Sequence, residues 1–522
     1  MRSGLSPRLR LELTGGLITA AFAAVLLLWG PSPADAAAHL YRTFLVQHHV
    51  FVWDNFWFAG NYPLASYSLL YYFPAAVVGN VPLVFAATVA STILFADVAF
   101  HEWGAVSVWP TRIFAVFAAA PLFTGGYAYA LGLAAMLGTL RAAQTRHTWL
   151  VILLAAFTIG FSPLAFAFLV LVLAAVVAGR RKVVRRTLVI GGALAVLAGL
   201  QLAVLALFPS PSVYLFHLAD LLAVLGVCTL GALLSRYADR GTPFLAFFVL
   251  WGLGSIVCYG VPNAIGDNWT RLRGFILPVM LVVALLARFR PRLIAAAALA
   301  AALAYNLVPY LQQTPLRTDV RPESASFWQP AVDFLRVHAS PNYRIEVVPT
   351  TEHWETYWLP KDGIPIARGW YRQLDIAENP VLYRSTPSEP AYRSWLRRMG
   401  IDYVLVPATR LDTVGGSKEA RVAMRLRPVF HGLSGTVYAV PHPTSLITGP
   451  AQARITRLTH SSISGRVAAP GTYVLRERYT SYFKLQPAGC VASVSKGMTR
   501  LTLPRAGAFT LTVQVFGGSA CR

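Results

Sequence analysis

Long apolar runs, each closed by a short polar or basic segment, follow one another from Thr14 to about Pro309. From Leu311 to Arg522 charged residues return at ordinary density. A helix that crosses a bilayer needs roughly 20 apolar residues. The runs at 15–30, 81–100, 113–123, 127–140, 149–160, 164–178, 188–208, 216–234, 244–259, 275–287 and 293–308 predict about eleven crossings. Two pairs are short enough to be tight hairpins, turning at Thr124-Gly125-Gly126 and at Ser162-Pro163.

Beyond residue 310 the pattern changes twice. Residues 326–338 read as a helix and those from Tyr343 onward as an alternating strand. The amphipathic stretch 390–398 leads through Met399-Gly400 into an apolar strand at 402–407, an α/β unit. From about Gln452 short alternating strands at 473–479, 482–485, 499–503 and 509–516 are punctuated by Gly, Pro and Ser, the pattern of a β-sandwich-like module. The expected organisation is a polytopic α-helical membrane domain over 1–310, an α/β domain over 311–450 and a β-rich module over 451–522.

Charge gives these runs a direction. Only 13% of the 522 residues are charged, where soluble domains carry about 25%, so lipid is the solvent for much of the chain. The net charge of +23 is a topology signal. With the N-terminus in the cytoplasm, Arg2, Arg8 and Arg10, then Arg141 and Arg146, then Arg180, Arg181, Lys182, Arg185 and Arg186, then Arg236 and Arg240, then Arg288, Arg290 and Arg292 all fall on the cytoplasmic side. An odd number of crossings places the C-terminal part outside the cytoplasm, in a multi-pass protein of the cell membrane. No recognition motif accompanies the basic residues, which argues against nucleic acid as a partner. The basic start, the first apolar stretch and Ala36-Ala37-Ala38 also fit a cleaved signal peptide. Cleavage there would remove Asp35 and leave the remaining topology unchanged.

External loops should be poor in charge, and two are not. The first holds Asp35 and His39, four apart and so on one helical face, then Trp53, Asp54, Trp57 and Tyr62. It reads equally as an interfacial aromatic belt with Asp35 as a helix cap, or as an acid–histidine pair with aromatic rings that stack on sugars. The second holds Arg271 and Arg273, which break the positive-inside pattern. Guanidinium groups there suit bidentate recognition of a lipid phosphate; the plainer reading is snorkelling near anionic lipid. His217 and Asp220 start a run near the same face, whereas Asp97, His101 and Glu102 fall at a water-exposed cytoplasmic helix end.

In the C-terminal part Glu352, His353 and Glu355 cluster with aromatic residues, and Arg368 follows in Arg368-Gly-Trp370-Tyr-Arg372-Gln-Leu-Asp375. Carbohydrate contact and an amphipathic surface segment are equally good readings of the cluster. No recognised metal-ligand spacing is present, and use of a divalent metal stays open. Among the four cysteines, Cys228 and Cys258 lie in apolar runs, while Cys490 and Cys521 are placed for a disulfide if their domain is external.

Asp35 directly after the first run, the aromatic loop from Trp53 to Tyr62, the segment from Pro63 to Tyr72, the paired short spans and a globular region after the last span together resemble the GT-C superfamily of membrane glycosyltransferases. The segment 368–375 and the strand 403–407 are similar to stretches in bacterial members of that group. The resemblance covers nearly the whole chain in layout. It implies a polyprenyl-(di)phosphate-linked sugar donor and a cell-envelope glycan or protein as acceptor. Asp35 would be the catalytic base, and Asp54 the candidate for the second acid that many members carry. From topology alone, Arg271 and Arg273 are expected to hold the leaving phosphate on the same external cavity. The competing readings are a non-catalytic membrane protein that binds envelope glycan, a transporter or flippase of lipid-linked substrates, and a ligase or phosphotransferase acting on such substrates.

Overall fold

The computed structural model describes residues 5–30, 33, 35–65, 67–145, 147–180, 184–209, 213–313 and 319–521. Arg2, Ser66, Arg146, Arg181 and Lys182, which enter the topology and motif arguments above, lie outside the described residues. The chain divides into two compact units. One comprises residues 1–33, 67–208 and 212–316, the other 34–66, 209–211 and 317–522.

The first unit is helical. Among the described residues, eight segments are long and apolar enough to cross a membrane: Pro7–Trp29, Asn80–Thr124, Pro163–Arg180, Arg185–Leu207, Leu218–Ser235, Thr242–Gly260, Gly266–Leu286 and Arg292–Leu311, with Thr148–Phe161 a shorter apolar helix. The 45-residue segment covers two of the expected runs. It is helix over Asn80–Trp103, a single 3-10 turn over Gly104–Ser107, and helix again over Val108–Phe117 and Pro121–Thr124. The expected turn at Thr124-Gly125-Gly126 is present. Gly125 takes a left-handed conformation (φ 78°) that ends one helix, and the next starts at Tyr127 and runs to Gln144.

Helix contacts follow the rules of apolar solvent. Glycines let helices approach closely: a Cβ on Gly231 would lie 2.5 Å from the Phe248 ring. Buried hydroxyls find partners between helices, with Thr19 Oγ1 2.7 Å from Thr92 Oγ1 and 2.8 Å from the Ala115 carbonyl. Asp97 is buried and not water-exposed as its position suggested. Its two oxygens take Arg8 Nη2 and Arg141 Nε, both at 2.7 Å. The start of the first helix and the ends of Asn80–Trp103 and Tyr127–Gln144 are thereby gathered at one end of the bundle. In Arg185–Leu207 only Leu194 is buried, while Leu188, Val196, Leu200 and Leu202 face outward, the pattern of a helix solvated by lipid.

The second unit carries three four-stranded sheets. β1 (Arg344–Val347), β2 (Ile401–Pro407), β3 (Arg427–Gly432) and β4 (Gly435–Ala439) pair in the order β1-β2-β4-β3, with β1 and β2 parallel and the rest antiparallel. The helix Glu389–Met399 feeds β2. Ser388 Oγ caps its start by accepting the Ala391 N–H, and Gly400 ends it in a left-handed conformation (φ 71°). β5 (Ile447–Thr448), β6 (Ala453–Leu458), β7 (Ser462–Val467), β8 (Gly471–Arg478), β9 (Phe483–Gln486), β10 (Cys490–Ser493), β11 (Met498–Leu503) and β12 (Gly507–Val513) form two antiparallel sheets, β10-β11-β8-β5 and β6-β7-β12-β9. Ile463, Tyr473, Leu475, Leu501, Phe509 and Leu511 share one core between them. Cys490 and Cys521 are joined by a disulfide.

Two expectations about boundaries change. The division falls after residue 316, and residues 34–66, read as a loop of the membrane domain, belong to the sheet-containing unit. Trp53 sits in the sandwich core and Ala59 in the core of the α/β part. An aromatic run is as well satisfied by a protein core as by a membrane interface, and here β2 and the strands of the two antiparallel sheets supply that core.

Candidate functional site

Asp35 occupies the N-cap position of the helix Ala36–Gln47, yet its side chain makes no capping hydrogen bond. Its Oδ1 instead accepts the indole N–H of Trp370 at 3.0 Å. The segment that presents Trp370 is fixed at Gly369, where a Cβ would come 2.4 Å from the indole of Trp57. Trp57 in turn donates its own N–H to the Thr356 carbonyl at 3.0 Å.

The Trp370 ring stacks on the imidazole of His353, with centroids 3.3 Å apart and planes at 15°. His353 is in a left-handed conformation (φ 58°), and its Nδ1 lies 3.2 Å from Glu355 Oε1. Glu355 Oε2 accepts the Thr350 hydroxyl at 2.6 Å. The Arg372 guanidinium lies 5.1 Å from the Trp370 ring centre and is held by Asp412 through two hydrogen bonds of 2.9 and 3.0 Å. Burial pushes the Asp412 carboxyl up, but the hydrogen bonds and charge of Arg372, with His353 and the Gly415 N–H, together hold the group below the ordinary carboxylate value. Asp35 is thus a half-exposed carboxylate whose orientation is set by an indole, itself clamped by an imidazole. Such a group can accept a proton from a hydroxyl brought to it.

Other expected site residues are placed differently. Asp54 is fully buried. It accepts hydrogen bonds from Tyr41 Oη (2.9 Å) and the Phe56 N–H (3.2 Å), and pairs with His460 Nδ1 at 3.0 Å. Burial and the Asp54 charge push the Tyr41 phenol well above its ordinary value, so it stays a donor. A carboxylate closed off in this way reaches no substrate, and Asp54 is a structural acid, not a second catalytic one.

Trp53 and Trp57 are 3% and 1% exposed and present no ring face to a sugar. Trp53 donates to Asn55 Oδ1 at 2.8 Å and packs edge-on against Phe483. Tyr62 binds Thr480 at 2.7 Å. His39 and Glu352 are buried. Arg368, expected at a binding surface, lies at the centre of a buried cluster with Glu346, Glu419 and Asp375. Tyr392 Oη donates to Glu419 at 2.9 Å, and Asn379 Nδ2 to Asp375 at 2.7 Å. Burial pushes both Glu346 and Glu419 upward.

In the helical unit, Arg271 and Arg273 lie on the 3-10 segment Gly266–Phe275. Asp267 feels the charges of Arg271, Asp220, His217 and Arg273, and Tyr305 those of Arg273 and Asp220. The fold therefore gathers acids and a histidine around the basic pair. Among the described residues, no group of three or more His, Cys, Asp or Glu side chains could hold a metal ion.

Trp370, Arg372, Asp412, Tyr41 and His460 were not among the expected site residues. Trp370 and Arg372 stood close to the expected Arg368 in sequence. The partnership of His460 with Asp54 spans 406 residues and has no local signature. Comparison with protein-family models and with curated proteins finds no match to the chain.

Proposed function

We propose that the protein is a GT-C-like membrane glycosyltransferase. In this reading the chain crosses the membrane about eleven times, with its N-terminus in the cytoplasm and its sheet-containing unit on the extracytoplasmic side. It moves a sugar from a polyprenyl-phosphate or polyprenyl-diphosphate donor to a cell-envelope glycan or protein. The observation that carries the reading is the Asp35 carboxylate, diverted from helix capping and oriented by Trp370 at 3.0 Å. A residue needed only as a cap would use its oxygens on the adjacent backbone N–H groups.

In the proposed step, Asp35 takes the proton of an acceptor hydroxyl. The hydroxyl oxygen forms the new bond to the anomeric carbon, and the bond from that carbon to the lipid phosphate oxygen breaks, so the phosphate leaves with the electron pair. Arg271 and Arg273 of the helical unit have the chemistry that suits a lipid phosphate. The burial of Trp53 and Trp57 removes the ring faces on which a purely glycan-binding role would rest.

The test is transfer from a polyprenyl-linked sugar by the purified full chain. Asp35→Asn should abolish transfer while expression and thermal unfolding stay as in the wild type. Transfer at the wild-type rate in that variant would remove Asp35 as the base. Arg271→Ala and Arg273→Ala, tested separately, should raise the KM for the lipid donor.

A further inference from the structure

The helix Glu389–Met399, strand β8 and the connection between β10 and β11 border a groove of about 540 Å3, a volume typical of small-ligand sites. Its apolar wall includes Trp395, Val474 and Met498. Its polar lining includes Arg398, Arg476 and Ser495, and among the described residues no acidic one lines it.

The arginines of this region differ in how they are neutralised. Arg344 is paired with Glu477, and Arg478 with Glu378. Arg476 donates to the Arg397 carbonyl (3.2 Å), the Ser445 carbonyl (2.8 Å) and Thr448 Oγ1 (3.1 Å). These acceptors fix its position but carry no charge. Among the described residues Arg398 has no ion pair, and the acid whose field reaches it, Glu378, is already engaged by Arg478. Burial holds the guanidinium groups of both Arg398 and Arg476 below their ordinary pKa. Two partly desolvated cations therefore face one groove with no acid of their own among the described lining residues, an arrangement that costs free energy until an anion enters.

We propose that this groove binds a small ligand carrying an oxyanion, a sugar acid or a sugar phosphate, with Arg398 as its ion-pair partner. Arg476 reinforces the positive field, the Ser495 hydroxyl lies within the lining as a further donor, and the apolar wall takes the carbon skeleton. A planar guanidinium matches carboxylate and phosphate alike, so the chemistry of the groove specifies the oxyanion and leaves its carrier to experiment. The site is independent of the transferase reading.

The test is isothermal titration calorimetry on the full chain in detergent, with glucuronate, glucose 1-phosphate, inorganic phosphate and glucose as probes. Saturable binding is expected for at least one anionic sugar. Glucose should bind at least about tenfold more weakly, and Arg398→Gln should weaken the anionic sugar about tenfold. Arg398 is half-exposed, and an unchanged melting temperature confirms that the variant is folded. A preference for glucose 1-phosphate and phosphate assigns the phosphate as the recognised group; a preference for glucuronate assigns the carboxylate. Either supports the site. Absence of saturable binding by both anionic sugars, equal binding of glucose, or undiminished binding in Arg398→Gln overturns it. The assay reads binding and not transfer, so its failure leaves the proposed reaction standing.

Discussion

The indole N–H of Trp370 donates to the carboxylate of Asp35 across 335 residues of chain, at 3.0 Å. The helix that Asp35 precedes is left without a side-chain cap. The same indole rests on His353 at 3.3 Å, so the acid is positioned by a stack of rings and not by its own helix.

Trp370→Phe retains a ring for His353 and deletes the donor. One hydrogen bond to a charged acceptor is worth roughly 1.5–3 kcal/mol, so kcat should fall about tenfold or more, with little change in KM for the acceptor. The Asp35→Asn variant should fall much further. Initial rates against acceptor concentration make the comparison, and an unaltered kcat in Trp370→Phe would show that the bond does not position a base.

Asp54→Ala removes the shared acceptor of Tyr41 Oη, the Phe56 N–H and His460. Tyr41 Oη keeps His460 Nδ1 at 3.2 Å, so the Phe56 N–H is the buried group left unpaired. An orphaned buried donor costs about 1–3 kcal/mol. The loss should therefore be about 1–3 kcal/mol, read as a lower melting temperature of the full chain. Asp54→Asn, which keeps an acceptor oxygen, should lose less. A melting temperature equal to wild type in Asp54→Ala contradicts the structural role.

The Arg368 cluster should respond asymmetrically. Arg368→Leu leaves Glu346, Glu419 and Asp375 buried together without a cation, and breaking a buried pair typically costs about 3–5 kcal/mol. Glu419 accepts from Arg368 on one oxygen and from Tyr392 on the other, so Glu419→Gln turns an amide NH2 toward one of these donors. It keeps the arginine and should cost about 1–3 kcal/mol, less than Arg368→Leu. Denaturant titration of the two variants decides it; a larger loss in Glu419→Gln than in Arg368→Leu would contradict Arg368 as the centre of the cluster.

Asp402 provides a pH dependence. Burial pushes its carboxyl up to about 7, while the unfolded chain ionises near 4. The folded state keeps a proton that the unfolded state has released, so this contribution is complete below about pH 4 and is lost as pH rises through about 7. Asp402→Asn should flatten that part of the profile. It should match the wild type near pH 4 and melt higher near pH 8, as differential scanning fluorimetry across that range would read. Parallel profiles for the two proteins would exclude Asp402 as the source.

Much of the fold was legible because its determinants are local. Lipid imposes long uninterrupted apolar runs, and the runs mark helices. Gly125 marks the turn before Tyr127 because the left-handed conformation (φ 78°) favours glycine. Alternation marks β8, where Tyr473, Leu475 and Glu477 are buried in turn. Even there the inward Glu477 depends on Arg344 of β1, a partner that no alternation reveals. The aromatic stretch Trp53 to Tyr62 shows the limit. Its composition is that of a membrane interface, and its neighbours make it core.

The sequence by itself determined that this is a helical membrane protein with a sheet-containing C-terminal part, because hydrophobicity and periodicity act over a few turns of chain. Only the tertiary structure decided the fate of each polar group. It made Asp54 and Arg368 buried structural ions, drew residues 34–66 into the sheet-containing unit, and left Asp35 half-exposed under Trp370. The reason is physical. The role of a carboxylate is set by the groups within about 3 Å of it, and for these residues those groups come from distant parts of the chain.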